Sequence, residues 1–309
     1  MRAANYSSYS QDNSTLTVAD LPDPKVAPGA VLIEVKAAGV NPVDWKVMAG
    51  YLDGLMDAVF PVIPGWDVAG IVREVGPDTP EFSVGDEVYS YARKESVHAG
   101  TFAELVAVPA VAVAHKPTSL TFEQAGGLPL AGLTALRALR ATGISPDGAG
   151  KSVLVHGASG GVGSAAVQVA AAAGARVIGT ASPRNHDYLR ALGAEPVTYG
   201  DGLAERVRQL APDGVDASVD FVGEVEDVTL AVLAGGGKHA SIADASVTAN
   251  GGDYLWVRPD HDGLVALAQL ADAGKLSVEI AETFGLDEVG AAFDLSREGH
   301  TRGKDIIVP

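Results

Sequence analysis

The sequence predicts an α/β fold in which a doubly wound parallel sheet is inserted into a twisted, barrel-like β domain. Residues 1–118 are dense in short β-like segments that Gly, Pro and Asp separate, which favours a compact β domain. From about Leu120, short apolar strands alternate with helical segments, the pattern of a parallel sheet covered by helices on both faces. From about Leu276 the chain returns to β segments. We therefore expect one domain of residues 1–118 and 275–309, a second of residues 119–274, and a cleft between them.

The predicted elements follow this division. In the first domain, strands are expected at residues 30–37, 70–75, 86–92 and 102–108, and the last portion contains a helix over 286–296. In the inserted domain, helices are expected at residues 122–128, 132–141, 162–173, 185–192, 203–210 and 225–234. The strands between them are expected at residues 152–155, 175–180, 197–199, 217–220 and 239–242.

Composition excludes several classes of function. The 309-residue chain has 22 Lys and Arg against 39 Asp and Glu, a formal charge of −17 that would repel nucleic acid and anionic membranes. It contains no Cys, which excludes disulfides, thiolate nucleophiles and Cys-ligated zinc. Its seven His form no H-x-x-x-H pair, and no metal site is expected. The chain starts without an apolar signal core and has no apolar run long enough to cross a bilayer, so we expect a cytoplasmic location.

A glycine-rich turn is the strongest motif in the chain. The strand at residues 152–155 is followed by A-x-G-x-x-G at residues 158–163 and then by a helix. Glycine at the third motif position lets the backbone approach a pyrophosphate, the last glycine permits close helix–strand packing, and the helix N-terminus offers N–H groups to an anion. A structural glycine turn is the alternative. The motif predicts a Rossmann-type domain that binds a dinucleotide at Ala158, Ser159, Gly160, Gly161, Val162 and Gly163.

The segment after the next strand decides between NADH and NADPH. About twenty residues beyond the glycines, NAD-binding domains place an acid that accepts hydrogen bonds from the ribose hydroxyls. This chain has Ser182 there, with Arg184 two residues later and no acid before Asp187. An Arg beside a hydroxyl can bind a 2′-phosphate that a carboxylate would repel, so NADPH is the predicted cofactor. Ser182 can also cap the following helix, with Pro183 as its first residue, and both roles can hold together.

Motifs along nearly the whole chain resemble one enzyme family. They are GVNPVDWKVMAGY (39–51), PVIPGWDVAGIVREVG (61–76), VGDEVYSY (84–91), GTFAELVAVP (100–109), GLPLAGLTALRAL (127–139), the glycine-rich turn and the ending RGKDIIVP. In this order they resemble the zinc-independent, quinone oxidoreductase-like branch of the medium-chain dehydrogenase/reductase (MDR) superfamily. The resemblance implies a GroES-like catalytic domain, a Rossmann NADPH-binding domain and a homodimer, for which residues 254–260 are a candidate edge strand.

Departures from the zinc-dependent relatives bear on the chemistry. Those relatives usually have a ligand Cys near the position of Asn41 and a His–Glu pair at the position of Trp66 and Asp67. This chain has neither, so the resemblance does not support zinc-assisted alcohol oxidation. Asp67 is interpreted as a structural ion-pair or hydrogen-bond partner rather than as a catalytic acid. Arg302 and Lys304 either contribute to an anion site or are exposed charges that aid solubility.

Further cofactor residues are implied by the resemblance, one position at a time. Asn41 matches an asparagine near the nicotinamide, Thr134 matches a residue that faces the same half of the cofactor, and Tyr199 matches a tyrosine beside the 2′-phosphate. Ordinary packing is the alternative for each residue of this set. Two pairs follow strands and should lie at the carboxyl edge of the parallel sheet, where the cofactor crosses: Phe221 with Val222, and Ser241 with Ile242.

The predicted reaction is hydride transfer without a metal to a small molecule. The resemblance implies an activated C=C bond or a quinone as acceptor: an enone, an enoyl thioester or a quinone. Tyr51 occupies a position where related enoyl reductases have a proton donor, and a phenol stays protonated at pH 7, although solvent is the alternative donor. Asn41 and Lys46 complete the candidate catalytic residues, with a solvated surface lysine as the alternative for Lys46. A non-catalytic NADPH-binding redox sensor is the alternative from another class, and a carbonyl or alcohol oxidoreductase is the alternative among enzymes.

Overall fold

The computed structural model describes residues 1–299 and 301–309. The strands, in chain order, are β1 (Arg2–Tyr6), β2 (Leu16–Asp20), β3 (Ala30–Gly39), β4 (Ala58–Ile63), β5 (Asp67–Val75), β6 (Glu87–Tyr91), β7 (Val97–Ala99), β8 (Leu105–Pro109), β9 (Val113–His115), β10 (Ser152–His156), β11 (Arg176–Ala181), β12 (Ala194–Thr198), β13 (Val215–Asp220), β14 (Leu233–Ser241), β15 (Asp253–Tyr254), β16 (Ile280–Gly285) and β17 (Lys304–Val308). The helices are α1 (Pro42–Met48), α2 (Phe122–Gly126), α3 (Pro129–Ala141), α4 (Gly161–Ala172), α5 (His186–Ala191), α6 (Leu203–Leu210), α7 (Glu226–Val232), α8 (His261–Asp272) and α9 (Val289–Glu298). Within the described residues, no helix combines the length and the apolar character that a bilayer crossing requires.

The first compact unit is formed by Met1–Leu130 and Arg258–Pro309 and is rich in β-structure. Its smaller sheet has the strand order β2-β1-β4-β7, and its larger sheet has the order β16-β17-β3-β5-β6-β9, with β8 also paired to β3. β3 is buried along most of its length, as expected for a strand that has neighbours on both sides in the larger sheet. β17 pairs antiparallel with the end of β3, which brings the last residues of the chain beside Val40 and Asn41.

The second compact unit, Ala131–Val257, contains the predicted parallel sheet. Its strand order is β12-β11-β10-β13-β14-β15, and every pairing between neighbours is parallel. Apolar side chains from β10, β11 and β13 pack against α6 in its core. The chain runs outwards in one direction from β10 to β12 and then in the other from β13 to β15, which is the doubly wound Rossmann-type topology.

Two segments belong to a different unit from the one that the sequence analysis assigned. Residues 119–130 and 258–274 were expected in the inserted domain, whereas the compact units place them with the β-rich part. α2 packs on β3 and β5, so closely that a Cβ at Gly126 would lie 2.8 Å from the Ala37 carbonyl oxygen. α8 packs against β9, and the Tyr89 hydroxyl donates a hydrogen bond to the carbonyl oxygen of Leu264.

Several predicted elements of the parallel-sheet unit differ in extent from the structure, among them an edge strand and a helix. The edge strand expected at residues 254–260 is limited to β15, because β14 ends at Ser241 and offers no further backbone partner beyond the bond from Leu255 N to Ser241 O. The helix expected at residues 225–234 ends at Val232, because β14 begins at the next residue.

Candidate cofactor and catalytic sites

The glycine-rich turn connects β10 to α4 in the parallel-sheet unit. Gly157 has a φ of +68°, in the left-handed region that favours glycine, and α4 begins at Gly161. A Cβ at position 163 would lie 2.1 Å from the Gly157 carbonyl oxygen, so only glycine lets the helix approach the turn this closely. The turn is fixed to β11, since Gly157 N donates to Thr180 Oγ1 and Ala158 N donates to Thr180 O, both at 3.0 Å.

The backbone at Gly160 leaves space beside the turn. A Cβ at Gly160 would meet nothing nearer than the Gly157 carbonyl oxygen at 3.5 Å, so the backbone there is open to a ligand. The first N–H groups of α4 have no acceptor within the helix and carry the positive end of its dipole. In a chain with a formal charge of −17, these backbone donors offer a local site for a phosphate anion.

Ser182 and Arg184 follow β11 at the carboxyl edge of the sheet. Pro183–Asn185 form a 3₁₀ turn that leads into α5, with Ser182 as its N-cap residue and Pro183 in its first turn. The Ser182 hydroxyl makes no capping hydrogen bond, so the helix-capping role that was the alternative for this side chain is not observed. The Arg184 side chain is exposed. An exposed guanidinium two residues from this hydroxyl is compatible with the predicted 2′-phosphate pocket.

Asn185, which was not predicted from the sequence, links two parts of the candidate cofactor site. It is buried, and its Nδ2 donates a hydrogen bond to Ser159 Oγ at 3.1 Å. It therefore ties the segment that contains Ser182 and Arg184 to the glycine-rich turn. Its position between a strand and a helix was the available signal, because Asn in such short turns commonly makes local hydrogen bonds.

Tyr199 lies in a loop immediately after β12, with 58% of its surface exposed. The strand ends at Thr198, one residue earlier than expected. Arg206, on α6, braces this loop, since its guanidinium donates to the carbonyl oxygens of Thr198 and Asp201, each at 2.8 Å. Arg206 was not identified from the sequence, because its acceptors are backbone atoms that no side-chain motif reveals.

Asp220, the last residue of β13, connects the two predicted pairs that follow β13 and β14. Its Oδ1 accepts hydrogen bonds from the N–H groups of Val222 (2.9 Å) and Gly223 (3.0 Å), and its Oδ2 accepts one from Ser241 Oγ (2.7 Å). The Ser241 hydroxyl is therefore used inside the protein, whereas Val222 is 58% exposed. Asp220 was not predicted as a site residue, although an acid at the end of a parallel strand was a visible signal.

The β-rich unit contains a buried polar cluster, which we define as Asn41, Asp44, Asp67 and Lys304. None of the four is more than 6% exposed. Asn41 Oδ1 accepts a hydrogen bond from Lys304 Nζ at 2.6 Å, and Asn41 Nδ2 donates to Asp67 Oδ2 at 2.9 Å. The Asn41 N–H donates to Asp44 Oδ2 at 2.8 Å, which closes the first turn of α1. Asp67 Oδ1 accepts from Leu130 N at 2.8 Å, at the second residue of α3.

Burial dominates the ionisation of the polar cluster. Desolvation raises the pKa of Asp44 to about 8, against the hydrogen bond from the Asn41 N–H, which favours the carboxylate. Desolvation also raises the pKa of Asp67 to about 6, although Lys304 and Asn41 act in the opposite direction. The pKa of Lys304 is lowered by the same desolvation, while its two oxygen acceptors and the nearby carboxyl groups favour the ammonium. We therefore infer that Asp44 is protonated at pH 7, whereas the contacts of Lys304 Nζ with two oxygen acceptors at 2.6 Å favour the ammonium.

The predicted catalytic residues Tyr51 and Lys46 lie at the surface, outside the polar cluster. Tyr51 is 60% exposed, and its hydroxyl donates to Gln11 Oε1 at 3.2 Å. The Lys46 side chain is exposed, with its ammonium 5.5 Å from the centre of the Trp45 ring. Of the three candidate catalytic residues, only Asn41 is brought into the buried cluster.

The sequence left open the roles of three further charged residues, Asp67, Arg302 and Lys304, and the structure places them differently. Asp67 is a buried hydrogen-bond partner, as interpreted from the sequence. Lys304 is buried, so its reading as an exposed charge is wrong, because the pairing of β17 with β3 carries it into the unit. Arg302 is exposed and pairs with Glu279 at 2.8 Å. Thr134, on α3, is 4% exposed.

Asp44→Asn tests the protonation state of the cluster. Asp44 stays protonated up to about pH 8 in the folded protein, whereas the unfolded chain ionises near pH 4. Its burial therefore costs stability increasingly between these two values, by up to about 1.4 kcal/mol per pH unit. We expect Asp44→Asn to melt at a higher temperature than the parent at pH 8, with the difference shrinking towards pH 5. Thermal unfolding across this range, with the exposed Glu81→Gln as control, measures it, and a pH-independent difference would contradict the assignment.

Comparisons with known proteins were consistent over the whole chain. The family described as "Alcohol dehydrogenase GroES-like domain" matches residues 27–118, and the family described as "Zinc-binding dehydrogenase" matches residues 192–307. The chloroplastic NADPH-dependent alkenal/one oxidoreductase of Arabidopsis thaliana is 34% identical over an alignment that covers all of this chain and 80% of the relative.

Two further relatives match almost end to end. The chloroplast envelope quinone oxidoreductase homolog of Arabidopsis thaliana is 31% identical, with all of this chain and 98% of the relative covered. The solved structure of the quinone oxidoreductase from Coxiella burnetii superposes with a TM-score of 0.86 at 32% identity, covering all of this chain and 99% of that chain. The predicted fold class and family resemblance are thus confirmed. The chain belongs to the quinone oxidoreductase-like branch of the medium-chain dehydrogenase/reductase superfamily.

Proposed function

We propose that this chain is an NADPH-dependent oxidoreductase that transfers hydride to an activated C=C bond or to a quinone. The observation that carries the proposal is the open glycine-rich turn, followed by Ser182 and Arg184 where NAD-binding domains place an acid. Relatives named as an alkenal/one oxidoreductase and a quinone oxidoreductase homolog support it. The acceptors share an electron-poor C=C bond or quinone ring, so enones, enoyl thioesters and quinones form the proposed substrate class.

The proposed NADPH site follows the carboxyl edge of the parallel sheet, where the strand order reverses between β10 and β13. The first N–H groups of α4, from Gly161 onwards, would bind the pyrophosphate, because the Gly160 N–H already donates to Gly157 O at 3.1 Å. Arg184 and the Ser182 hydroxyl would bind the 2′-phosphate, with the exposed Tyr199 ring beside it. The exposed Val222 would provide apolar contact, while the roles of Thr134 and of the other residues after β13 and β14 stay predictions.

Zinc is implied by the name of one matched family, and the residues present do not fit it. Protein zinc sites are built from Cys, His and carboxylate ligands in near-tetrahedral sets. The chain has no Cys, and across residues 1–299 and 301–309 no group of three or more His, Asp or Glu could hold a metal ion. In the polar cluster, Asn41 Oδ1 faces the Lys304 ammonium, which would repel a metal cation. We therefore propose a zinc-independent reaction and derive no step through the metal.

The proposed chemistry divides between cofactor and chain. When bound, NADPH supplies the hydride, and the chain supplies binding, orientation and a proton. Hydride addition at the β-carbon of an enone leaves negative charge on the carbonyl oxygen, which then needs hydrogen-bond donors and a proton. The Tyr51 hydroxyl and the Lys46 ammonium are the proposed donors. Asn41, held by Asp67 and Lys304, is proposed to orient the reacting groups.

A homodimer is proposed through the edge of the parallel sheet. β15 is its outermost strand, and an uncovered edge strand favours pairing with a second chain. Trp256 lies just beyond it and is 47% exposed, with its ring packed edge-on against Tyr254 at 6.3 Å. The cytoplasmic location stays a prediction.

A panel of acceptors tests the proposed function. Oxidation of NADPH and NADH is followed by absorbance with an enone, an enoyl thioester, a quinone and a saturated ketone. We expect turnover of at least one activated acceptor with NADPH, and kcat/KM at least about tenfold lower with NADH, because the 2′-phosphate contributes charge-assisted hydrogen bonds. NADPH binding without turnover would instead indicate a redox sensor, and preference for the ketone would indicate a carbonyl reductase.

In the same assay, equal rates for Tyr51→Phe and the parent would leave solvent as the proton source.

Arg184→Glu tests the choice of cofactor. The variant replaces a guanidinium by a carboxylate that repels the 2′-phosphate, so the Kd for NADPH should rise about 100-fold. The Kd for NADH should change less than about threefold, as is usual for an exposed charge without a phosphate partner. Fluorescence titration of the reduced nicotinamide measures both constants. Arg190→Glu, which removes a surface ion pair with Asp187 on α5, is the matched control, and an equal loss for both cofactors would rule out this role.

A further inference from the structure

Lys304 is the cation of the polar cluster in the β-rich unit. It is the first residue of β17, and pairing of this strand with β3 places Ile306 opposite Gly39. Its ammonium donates to Val40 O and to Asn41 Oδ1, each at 2.6 Å, and the residue is 6% exposed. A lysine is rarely buried unless its charge is satisfied, so these two oxygens retain a side chain that water would otherwise favour.

The ammonium determines how the Asn41 amide is oriented. Lysine can only donate hydrogen bonds, and an ionised carboxylate can only accept them. Asn41 therefore turns Oδ1 towards Lys304 and Nδ2 towards Asp67. The flipped amide would set donors against the ammonium and its oxygen against the carboxylate, two repulsive contacts in place of two hydrogen bonds. The orientation thus follows from the chemistry of the two neighbours.

Asp67 holds the other side of this amide and cannot fix it alone. Its Oδ2 accepts from Asn41, while its Oδ1 accepts from Leu130 N at the start of α3. Without the ammonium, Asn41 Oδ1 would lose its donor, and the buried Asp67 charge would lose the cation that favours its ionised form. Protonated Asp67 could donate as well as accept, so the amide would be held in its present orientation only by the longer bond from Asn41 Nδ2 to Gly39 O at 3.3 Å.

We propose that Lys304 is a positioning residue for the hydride-transfer reaction, and that it acts through Asn41 by holding the amide in a single orientation. The inference rests on the proposed function, because it takes Asn41 to lie near the reacting atoms. Lys304 itself contacts neither substrate nor cofactor in this proposal. Its effect on the reaction passes through the Asn41 amide, which Lys304 holds directly by a hydrogen bond and indirectly through the charge of Asp67, so the effect requires Asn41.

A double-mutant cycle with Lys304→Met and Asn41→Ala tests this dependence. Met retains a long apolar side chain without the charge. Lys304→Met should lower kcat at least about tenfold and change the KM for NADPH less than about threefold, because orientation is lost rather than cofactor binding. In the Asn41→Ala background, the same substitution should lower kcat less than about twofold. Equal fold losses in both backgrounds would overturn the proposal.

Lys116→Met is the matched control for loss of a buried lysine. The side chain of Lys116 is 6% exposed, although the residue as a whole is half-buried, and its ammonium is bonded to Pro117 O and Leu120 O and paired with Glu87. Both substitutions should lower the melting temperature, but Lys116→Met should leave kcat unchanged. Lys304→Gln keeps a donor for Asn41 Oδ1 and should retain more of kcat than Lys304→Met. If Lys304→Met does not fold, Lys304→Gln takes its place in the double-mutant cycle.

Hydrogen exchange of the Asn41 side-chain amide needs no turnover, so it tests the positioning role of Lys304 separately from the proposed enzymatic function. With nitrogen-15 in asparagine only, the chain's five Asn give five side-chain amide pairs, and Asn41 is assigned by its loss in Asn41→Ala. We expect slow hydrogen exchange of this amide in the parent and faster exchange in Lys304→Met, with Asn250 unchanged as the internal control. Unchanged exchange at Asn41 would overturn the role of Lys304. An inactive parent with the expected exchange difference would overturn the proposed function and leave the positioning of Asn41 by Lys304 standing.

Discussion

The candidate site of the β-rich unit depends on the Lys304 ammonium group, which is buried with its hydrogen bonds satisfied by the protein. Through Lys304, the last strand of the chain is bonded to Asn41 at the start of α1, and Asn41 in turn is bonded to Asp67 on β5. Removing one partner of such a buried charge network typically costs about 3–5 kcal/mol, because the remaining charge is left uncompensated. Such a network can keep a polar side chain in one orientation inside an apolar barrel, which packing alone does less reliably.

The parallel-sheet unit meets a different electrostatic constraint. A chain with a formal charge of −17 is proposed to bind a cofactor that is itself a polyanion, so the overall charge opposes binding. Backbone N–H groups at the glycine-rich turn offer a local positive potential that does not depend on the protonation of any side chain. Thr180 and Asn185 hold that turn to the neighbouring strand and to the segment of Arg184. The predicted pocket thus depends on a rigid backbone with a few added side chains.

The sequence was sufficient for features that depend on neighbours along the chain. Hydrophobic periodicity predicted the parallel sheet, and glycine spacing predicted the turn at Gly157–Gly163, because both are local patterns. Lys304 was misread, since its burial depends on a strand pairing with residues more than 260 positions earlier. Asp220 was missed for a similar reason, because its bond to Ser241 joins the ends of two neighbouring strands. The boundaries of the two units also depend on such contacts, those of α2 and α8 with the barrel strands.

The fate of the hydride is the most direct test of the function assigned to this chain. The enone of the acceptor panel is incubated with NADPH that has deuterium at the transferred position of C4, and the product is examined by NMR and mass spectrometry. Hydride transfer to an activated C=C bond predicts one deuterium at the β-carbon and a solvent-derived proton at the α-carbon, with the carbonyl intact. Deuterium at the carbonyl carbon of an alcohol product, or its absence from every product, would contradict this function.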